Sequence, residues 1–417
     1  MEKKYIDISW DFKNEDTKIF THCFHNYPAI MIPQIAGRLI DKYGKNSKLL
    51  FDPYCGTGTS LVEANLRNIY SIGTDLNPLA QLIAKAKTTP LNIKTLDLYL
   101  KDFNDTIFGY RFGIKSSISA EMPDFKNINY WFSKAIQLQL VIIKEYIEKI
   151  DDLSIQIFFK VAFSETVRES SWTIHSEFKL LRMPLKQIEK FNPDVFGIME
   201  FKLSRNRNGL VSYLKEKNNS IAIAEVYSFN TVESIPEKIL PANSVDLAVT
   251  SPPYGDSRTT VAYGQFSRLA NQWLNFKNAS SVDKELMGGT RAQNGYHFDI
   301  DILNEIIERI GKKDEKRSKD VIAFFKDYEL SIKNISNVIK HGGYACYVVG
   351  NRRVKNETIP TEEITKKLFH KYGFRHKETI MRNIPNKRMP LENSPTNIIG
   401  EKSPTMKNEY IVVCQKS

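Results

Sequence analysis

The chain has 417 residues, 41% of them hydrophobic, with 59 Lys and Arg against 48 Asp and Glu, a net charge of +11. That length is too great for one small domain and predicts a large core domain with an insertion or second lobe. No apolar run approaches the roughly 20 residues that span a bilayer, and the opening MEKKYIDISWDFKNED has no apolar signal core, so the expectation is a cytoplasmic protein with no membrane contact.

The basic surplus favours a polyanionic partner such as DNA or RNA, a solvated lysine-rich surface being the plain alternative. Basic clusters recur at Ser204–Gly209, Gly311–Asp320, Gly350–Lys355 and Pro385–Pro390. Four cysteines, Cys23, Cys55, Cys346 and Cys414, form no C-x-x-C pair, which argues against a zinc ribbon or a disulfide framework. His22, Cys23 and His25 lie close together, but no second ligand pair follows, so no metal is expected.

In chain order, NYPAIMIPQIAGRLIDKY predicts a proline-bounded turn and then a helix with Ile32, Ile35, Leu39 and Ile40 on one face. LLFDPYCGTGTSLVEANLRN reads as strand, glycine-rich turn and helix, and IYSIGTDLNPLAQLIAKAKT as strand, acidic tip and helix. This β-α-β-α start predicts an α/β fold with an open, mostly parallel sheet. Residues 92–218 change texture to helical periodicity and predict a helical insertion between residues 1–91 and 219–417. Two strands follow, SIAIAEVYSF and VDLAVT. The polar stretch from Gly255 to Asp320 predicts a long irregular loop. A helix ending at a Gly342 C-cap, a central strand YACYVVG and an antiparallel pair of late strands at the sheet edge complete the reading.

Two stretches carry chemistry. In FDPYCGTGTS, Gly56 and Gly58 sit where strand becomes helix; glycine turns sharply there and lets a ligand approach the backbone. No Gly-Lys-Ser/Thr follows, so this is not a phosphate-binding Walker loop. Asp75, at the end of the next apolar run, suits the two hydroxyls of a ribose, the alternative being an N-cap of the helix near Pro78. The second stretch is TSPPY after the strand VDLAV. Ligands of open α/β sheets bind at the carboxyl ends of strands, which brings Ser251–Tyr254 toward the glycine turn. Ser251 Oγ and the Pro252 carbonyl suit the two hydrogens of an exocyclic amine, and Tyr254 offers a face for an extruded base. A Pro-Pro turn with an interface tyrosine is the bland alternative.

With these motifs the chain resembles the S-adenosylmethionine-dependent amino-methyltransferases of DNA, the N4-cytosine group in particular. FDPYCGTGTSLVEA looks like the cofactor motif, TSPPY like the catalytic motif and FHNYPAIMIP like the segment that closes over the methionine end of the cofactor. GGYACYVVGNRRV and NKRMPLENSPTN are also similar to this group. The resemblance implies a Rossmann-like class I methyltransferase, mostly parallel with an antiparallel C-terminal edge, plus the helical insertion. It implies S-adenosylmethionine lined by Tyr27, Pro28, Phe51, Asp52, Cys55, Gly56, Thr57, Gly58 and Thr59, with Asp75 on the ribose. It implies a target amine held by Ser251, Pro252, Pro253 and Tyr254. The acid that many relatives carry after the third strand is missing; Ser228 stands about there, with Glu225 nearby.

The implied reaction is direct methyl transfer to cytosine N4 in double-stranded DNA after the base has been flipped from the duplex. No Pro-Cys dipeptide occurs, which sets aside C5-cytosine chemistry. N6-adenine methylation, RNA base methylation and a non-catalytic DNA-binding role stay open. A cognate restriction endonuclease is a further implied partner. Residues 92–218 and the polar stretch are the candidates for target reading, with Arg168, Lys179, Arg182, Arg205, Arg207, Arg258 and Arg268 as possible DNA contacts.

Overall fold

A computed structural model describes residues 3–115, 121–218, 220–256, 262–290, 296–384 and 407–417, together with the backbone of 392–393 and 403–404. Strand β1 (Lys4–Ile6) opens the chain. Helix α1 (Pro33–Tyr43) has proline in its first turn, where a missing N–H costs nothing, and buries Ile35, Ala36, Leu39 and Ile40. Then come β2 (Leu49–Asp52), α2 (Thr59–Leu66), β3 (Tyr70–Thr74) and α3 (Pro78–Thr88), the expected alternation.

Every helix or strand of the described residues from Ile93 to Lys217 is helical: α4 (Ile93–Arg111), α5 (Ile128–Trp131), α6 (Lys134–Glu148), α7 (Leu153–Glu169), α8 (Leu185–Ile188) and α9 (Val195–Lys217). Asn92, Ser133, Asp152 and Asp194 each cap one of these helices through a side-chain oxygen. The chain returns to the sheet with β4 (Ala224–Tyr227) and β5 (Val245–Thr250).

Among its described residues, the stretch expected as an irregular loop holds α10 (Tyr263–Trp273), α11 (Val282–Glu285), α12 (Asp301–Lys313) and the start of a further helix. Helices α10 and α12 are amphipathic, and their polar outer faces mask narrow apolar stripes such as Leu303, Ile306 and Ile310. Helix α13 (Glu315–Val338) runs straight into β6 (Ile339–Val349), so Gly342 lies within a strand and is no helix cap. Gly343 shows why glycine is needed there: a Cβ would meet the Asp246 carbonyl at 2.9 Å. The chain ends through β7 (Arg352–Val354), β8 (Glu357–Ile359), α14 (Thr361–Lys371), β9 (Phe374–Asn383), β10 (Glu392–Asn393), β11 (Ser403–Pro404) and β12 (Asn408–Lys416).

The main sheet has eight strands in the order β1-β9-β12-β6-β5-β2-β3-β4. Only β12 runs against its neighbours. This is the Rossmann-like arrangement expected, with one correction: β12 is internal, and β1, paired with β9, forms the edge. Side chains alternate across the sheet. Leu50, Leu247 and Val249 face the layer that contains α1 and α2, while Phe51 and Ala248 face the layer of α12, α13 and α14. A third core joins α3 and α10 to α4, α6, α7 and α9. Strand order reverses direction between β2 and β5, which leaves a crevice above their carboxyl ends.

Gly58 precedes α2 at φ 76°, and a Cβ there would stand 3.0 Å from Ala84 Cβ; Gly56, at φ 49°, has no atom within 4 Å of such a Cβ. Gly58→Ala combines left-handed strain with a clash and is expected to cost about 2–3 kcal/mol, Gly56→Ala the strain alone, about 1–2 kcal/mol. Urea denaturation of the two variants checks the difference.

Candidate functional site

Strand β2 delivers Asp52 to the crevice floor. One carboxylate oxygen accepts from the Tyr54 N–H at 3.1 Å and the Thr250 hydroxyl at 2.5 Å; the other accepts from the Ser60 hydroxyl. Burial pushes this carboxyl up to about 6, against the pull of those donors. The single side chain thus joins the tips of β2 and β5 and the first turn of α2.

The glycine turn follows. The Cys55 N–H reaches the Thr74 carbonyl at 3.0 Å, and the Gly58 N–H closes on the Cys55 carbonyl at 2.7 Å. Asp75 lies across the turn: its two oxygens accept from the Gly56 N–H at 3.1 Å and the Asn77 N–H at 2.7 Å. The N-cap alternative for Asp75 fails, because Asn77 caps α3. Burial pushes the Asp75 carboxyl up to about 6 as well.

These groups line one cavity with Tyr27, Pro28, Cys55, Thr57, Thr59, Ser251 and Pro253. It holds about 1020 Å³ of non-atom space, its open mouth included. Tyr27 forms a wall, its ring stacked on Tyr263 at 6.0 Å and its hydroxyl accepting from Asn77 Nδ2 at 2.8 Å. The opposite wall follows β4 and is made of Phe229, Asn230, Thr231 and Val232. Sequence reasoning looked to Ser228 and Glu225 instead; Glu225 is exposed and bonded to the Tyr227 hydroxyl. The rule that ligands sit beyond strand ends pointed to FNTV, one residue further along.

Two expected cofactor residues support the cavity without lining it. Phe51 is fully buried and stacks on Phe229 at 6.2 Å, and Gly58 packs on Ala84. The buried hydroxyls of Thr57 and Thr59 have no hydrogen-bond partner among the described residues. A Cβ at Gly56 would enter empty space. The lining thus offers unspent polar groups, an acid placed for hydroxyls and apolar walls, and it fits S-adenosylmethionine.

The TSPPY loop leaves β5 into the same cavity. Ser251 Oγ lies 3.2 Å from both the Val348 carbonyl and the Tyr254 hydroxyl. The Tyr254 hydroxyl donates to Glu409 Oε1 at 2.9 Å, and the other Glu409 oxygen pairs with Arg382. Arg382 is anchored by its Nε to the Trp10 carbonyl at 2.8 Å. Two residues past Tyr254, the fully buried Asp256 pairs with Arg352 at 3.2 Å. Glu409, Arg382, Asp256 and Arg352 escaped sequence reasoning; Arg352 had been placed in a loop-like basic cluster. Pro252 is buried, and neither it nor Tyr254 lines the cavity itself.

The expected DNA contacts divide. Arg205 pairs with Glu165 at 2.7 Å and Arg207 with Asp97 at 2.8 Å, while Arg168 is buried against the Phe266 ring at 4.2 Å. Arg268 is half-buried, with its Nε enclosed. Lys179 is exposed, Arg182 rests on aromatic faces, and Arg258 lies outside the described residues. His22 and Cys23 are engaged locally, His22 with Glu63 at 3.0 Å and Cys23 with the Phe20 carbonyl at 3.1 Å.

No protein-family model matches the chain. It is 40% identical over 423 residues to Type II methyltransferase M.MvaI of Kocuria varians, covering 96% of this chain and 92% of that protein. It is 21% identical over 416 residues to Type II methyltransferase M.MjaII of Methanocaldococcus jannaschii, covering 81% and 74% respectively. A solved SAM-dependent methyltransferase from Methanosarcina mazei overlays 91% of this chain and 96% of its own at 9% identity, with a TM-score of 0.33, too loose to bear on function. The likeness to the Kocuria protein runs nearly end to end: the chain belongs to the Type II methyltransferases, and its cofactor is S-adenosylmethionine.

Proposed function

We propose that this methyltransferase modifies the exocyclic N4 of cytosine in duplex DNA at a specific site, and that it protects that site from a cognate restriction endonuclease. The observation that carries the reading is the meeting of Ser251 and Pro253 with the glycine turn in one cavity. When bound, S-adenosylmethionine supplies a methyl group already activated on a sulfonium.

The chain's own residues do the rest. Asp75 accepts hydrogen bonds from ribose hydroxyls, and Tyr27 and Pro28 cover the opposite end of the cavity. Ser251, donating its proton to the Val348 carbonyl, keeps its lone pairs for an incoming amine. With the Pro252 carbonyl it holds both amine hydrogens, which draws the nitrogen out of conjugation and frees its lone pair. The two prolines fix the direction of these acceptors. Tyr254, tethered to Glu409, lies behind the cavity lining and positions Ser251 through its hydroxyl. Cys55 reaches the cavity, and burial pushes its thiol well above the ordinary range.

The reading is tested by incubating the protein with methyl-labelled S-adenosylmethionine and mixed-sequence duplex DNA, digesting to nucleosides and identifying the labelled one by mass. N4-methylcytosine is expected. N6-methyladenine would keep the mechanism and overturn the choice of base; label in RNA alone would overturn the substrate.

Ser251→Ala is expected to leave cofactor affinity within about twofold and to lower kcat/KM by about 100-fold or more; single-turnover assays and calorimetry on one preparation separate the two. For Asp75, ribose hydroxyls favour the ionised carboxylate. Cofactor affinity is therefore expected to be level above about pH 7 and to fall as pH drops through about 6, by up to about tenfold per unit. Asp52 titrates nearby, but its oxygens are engaged by chain donors. Calorimetry across that range should show Asp75→Asn binding more weakly and without the step.

A further inference from the structure

Between α7 and α8 the chain folds back on itself. Thr173 and Arg182 pair as an isolated antiparallel bridge, the Ile174 N–H reaches the Leu181 carbonyl at 2.9 Å, and the Met183 N–H reaches the Trp172 carbonyl at 2.8 Å. The result is a short hairpin-like projection with an exposed tip, His175 to Lys179.

The projection is fixed at both ends. Its base is tied to α5 by the Trp172 N–H on the Trp131 carbonyl at 2.9 Å. Its tip leans on α10: Phe178 meets Phe266 edge-on at 6.4 Å, and the Leu180 N–H reaches Gln265 Oε1 at 3.3 Å. Phe266 in turn packs on Tyr27 at 5.5 Å, and Tyr27 is a wall of the methyl-transfer cavity. One aromatic layer therefore separates the projection from that cavity.

Arg182 is held here without an acid. Its guanidinium lies 4.2 Å from the Tyr130 ring centre and 5.3 Å from that of Trp172, and its Nε donates to the Tyr130 carbonyl at 3.0 Å. Among the described residues it has no ion-pair partner, whereas Arg111, Lys202, Arg205 and Arg207 of the same helical region each pair with a carboxylate. Two aromatic faces and one hydrogen bond fix the plane of the guanidinium and leave its outer N–H groups unspent. A pre-oriented fork of this kind matches the paired acceptors on the major-groove edge of guanine.

We propose that Arg182 is a specificity-determining residue that reads a guanine of the DNA target, Tyr130 and Trp172 holding its fork in plane. This rests on the proposed action on duplex DNA. Lysine at 182 keeps the charge and loses the fork, so Arg182→Lys separates base reading from attraction to phosphate. Wild type, R182K and R182Q are each incubated with the same plasmid and S-adenosylmethionine, and the methylated positions are mapped by sequencing. Cofactor affinity by calorimetry, expected unchanged, shows that the variants fold. In both variants one G·C position of the methylated motif is expected to relax by about tenfold or more. Where a variant methylates too slowly to map, its affinity for the motif duplex against duplexes changed at single positions gives the same ratio. An unchanged motif overturns the assignment alone. So does a uniform loss of affinity whose salt slope falls by about one, which marks a phosphate contact. No methylated position with wild type overturns the DNA reading, and this assignment with it.

Discussion

Asp52 is the point on which the site depends. Its carboxylate is buried where the parallel strands β2 and β5 end, and it accepts from Thr250, Ser60 and the Tyr54 N–H. Thr250 is followed directly by Ser251, and Ser60 belongs to the first turn of the helix that the glycine turn leads into. One buried acid therefore fixes the distance between the glycine turn and the TSPPY loop. Burying it is costly, and three donors offset part of that cost. The remainder shows in its titration. Between the ordinary aspartate value of 3.8 and about 6 the folded chain keeps a proton that the unfolded chain loses. Stability then falls as pH rises across that window.

The TSPPY loop is secured at its other end by charges from the far side of the chain. Glu409 takes the Tyr254 hydroxyl and the Arg382 guanidinium, and Arg352 takes Asp256. Strand order explains the convergence. β6 neighbours β5 and leads into the segment that carries Arg352, and β12, which carries Glu409, neighbours β6. A loop bearing two prolines needs such anchors, because its proline nitrogens have no N–H to bond with the neighbouring backbone.

The features legible in the sequence were the local ones. Gly56, Gly58 and Asp75 are separated by one helix and one strand, so their meeting follows from a β-α-β unit. TSPPY was legible because a continuous apolar strand stops at prolines. The partners of Tyr254 and Asp256 were not, since Glu409 and Arg352 lie 155 and 96 residues away and no local pattern marks the pairing. Gly342 differs from the expectation for a physical reason: a glycine after an apolar helix signals a cap, but here the helix passes into a strand in which Gly342 takes a positive φ of 77° and Gly343 admits the Asp246 backbone. The wall of Asn230 and Thr231 was missed because the search was for an acid, while the chain places neutral polar groups there. The amphipathic helices α10 and α12 were hidden by their own solvent-facing residues.

The helical region does more than decorate the sheet. Glu165 on α7 accepts from the Asn26 N–H at 3.1 Å and pairs with Arg205 of α9, which itself donates to the Phe24 carbonyl at 2.7 Å. Those contacts hold the segment from Phe24 to Tyr27 from below, and Tyr27 is a cavity wall. The same wall is braced from the side by Phe266, on which Phe178 and Arg168 also rest. A shift of the projection at Phe178 must therefore be absorbed by Phe266 or passed to Tyr27, because packed aromatic layers deform little. Chain connectivity separates the helical region from both site motifs, yet packing sets it directly behind the cavity wall. The projection and the cavity wall thus share one packed aromatic layer, Phe178 on Phe266 and Phe266 on Tyr27.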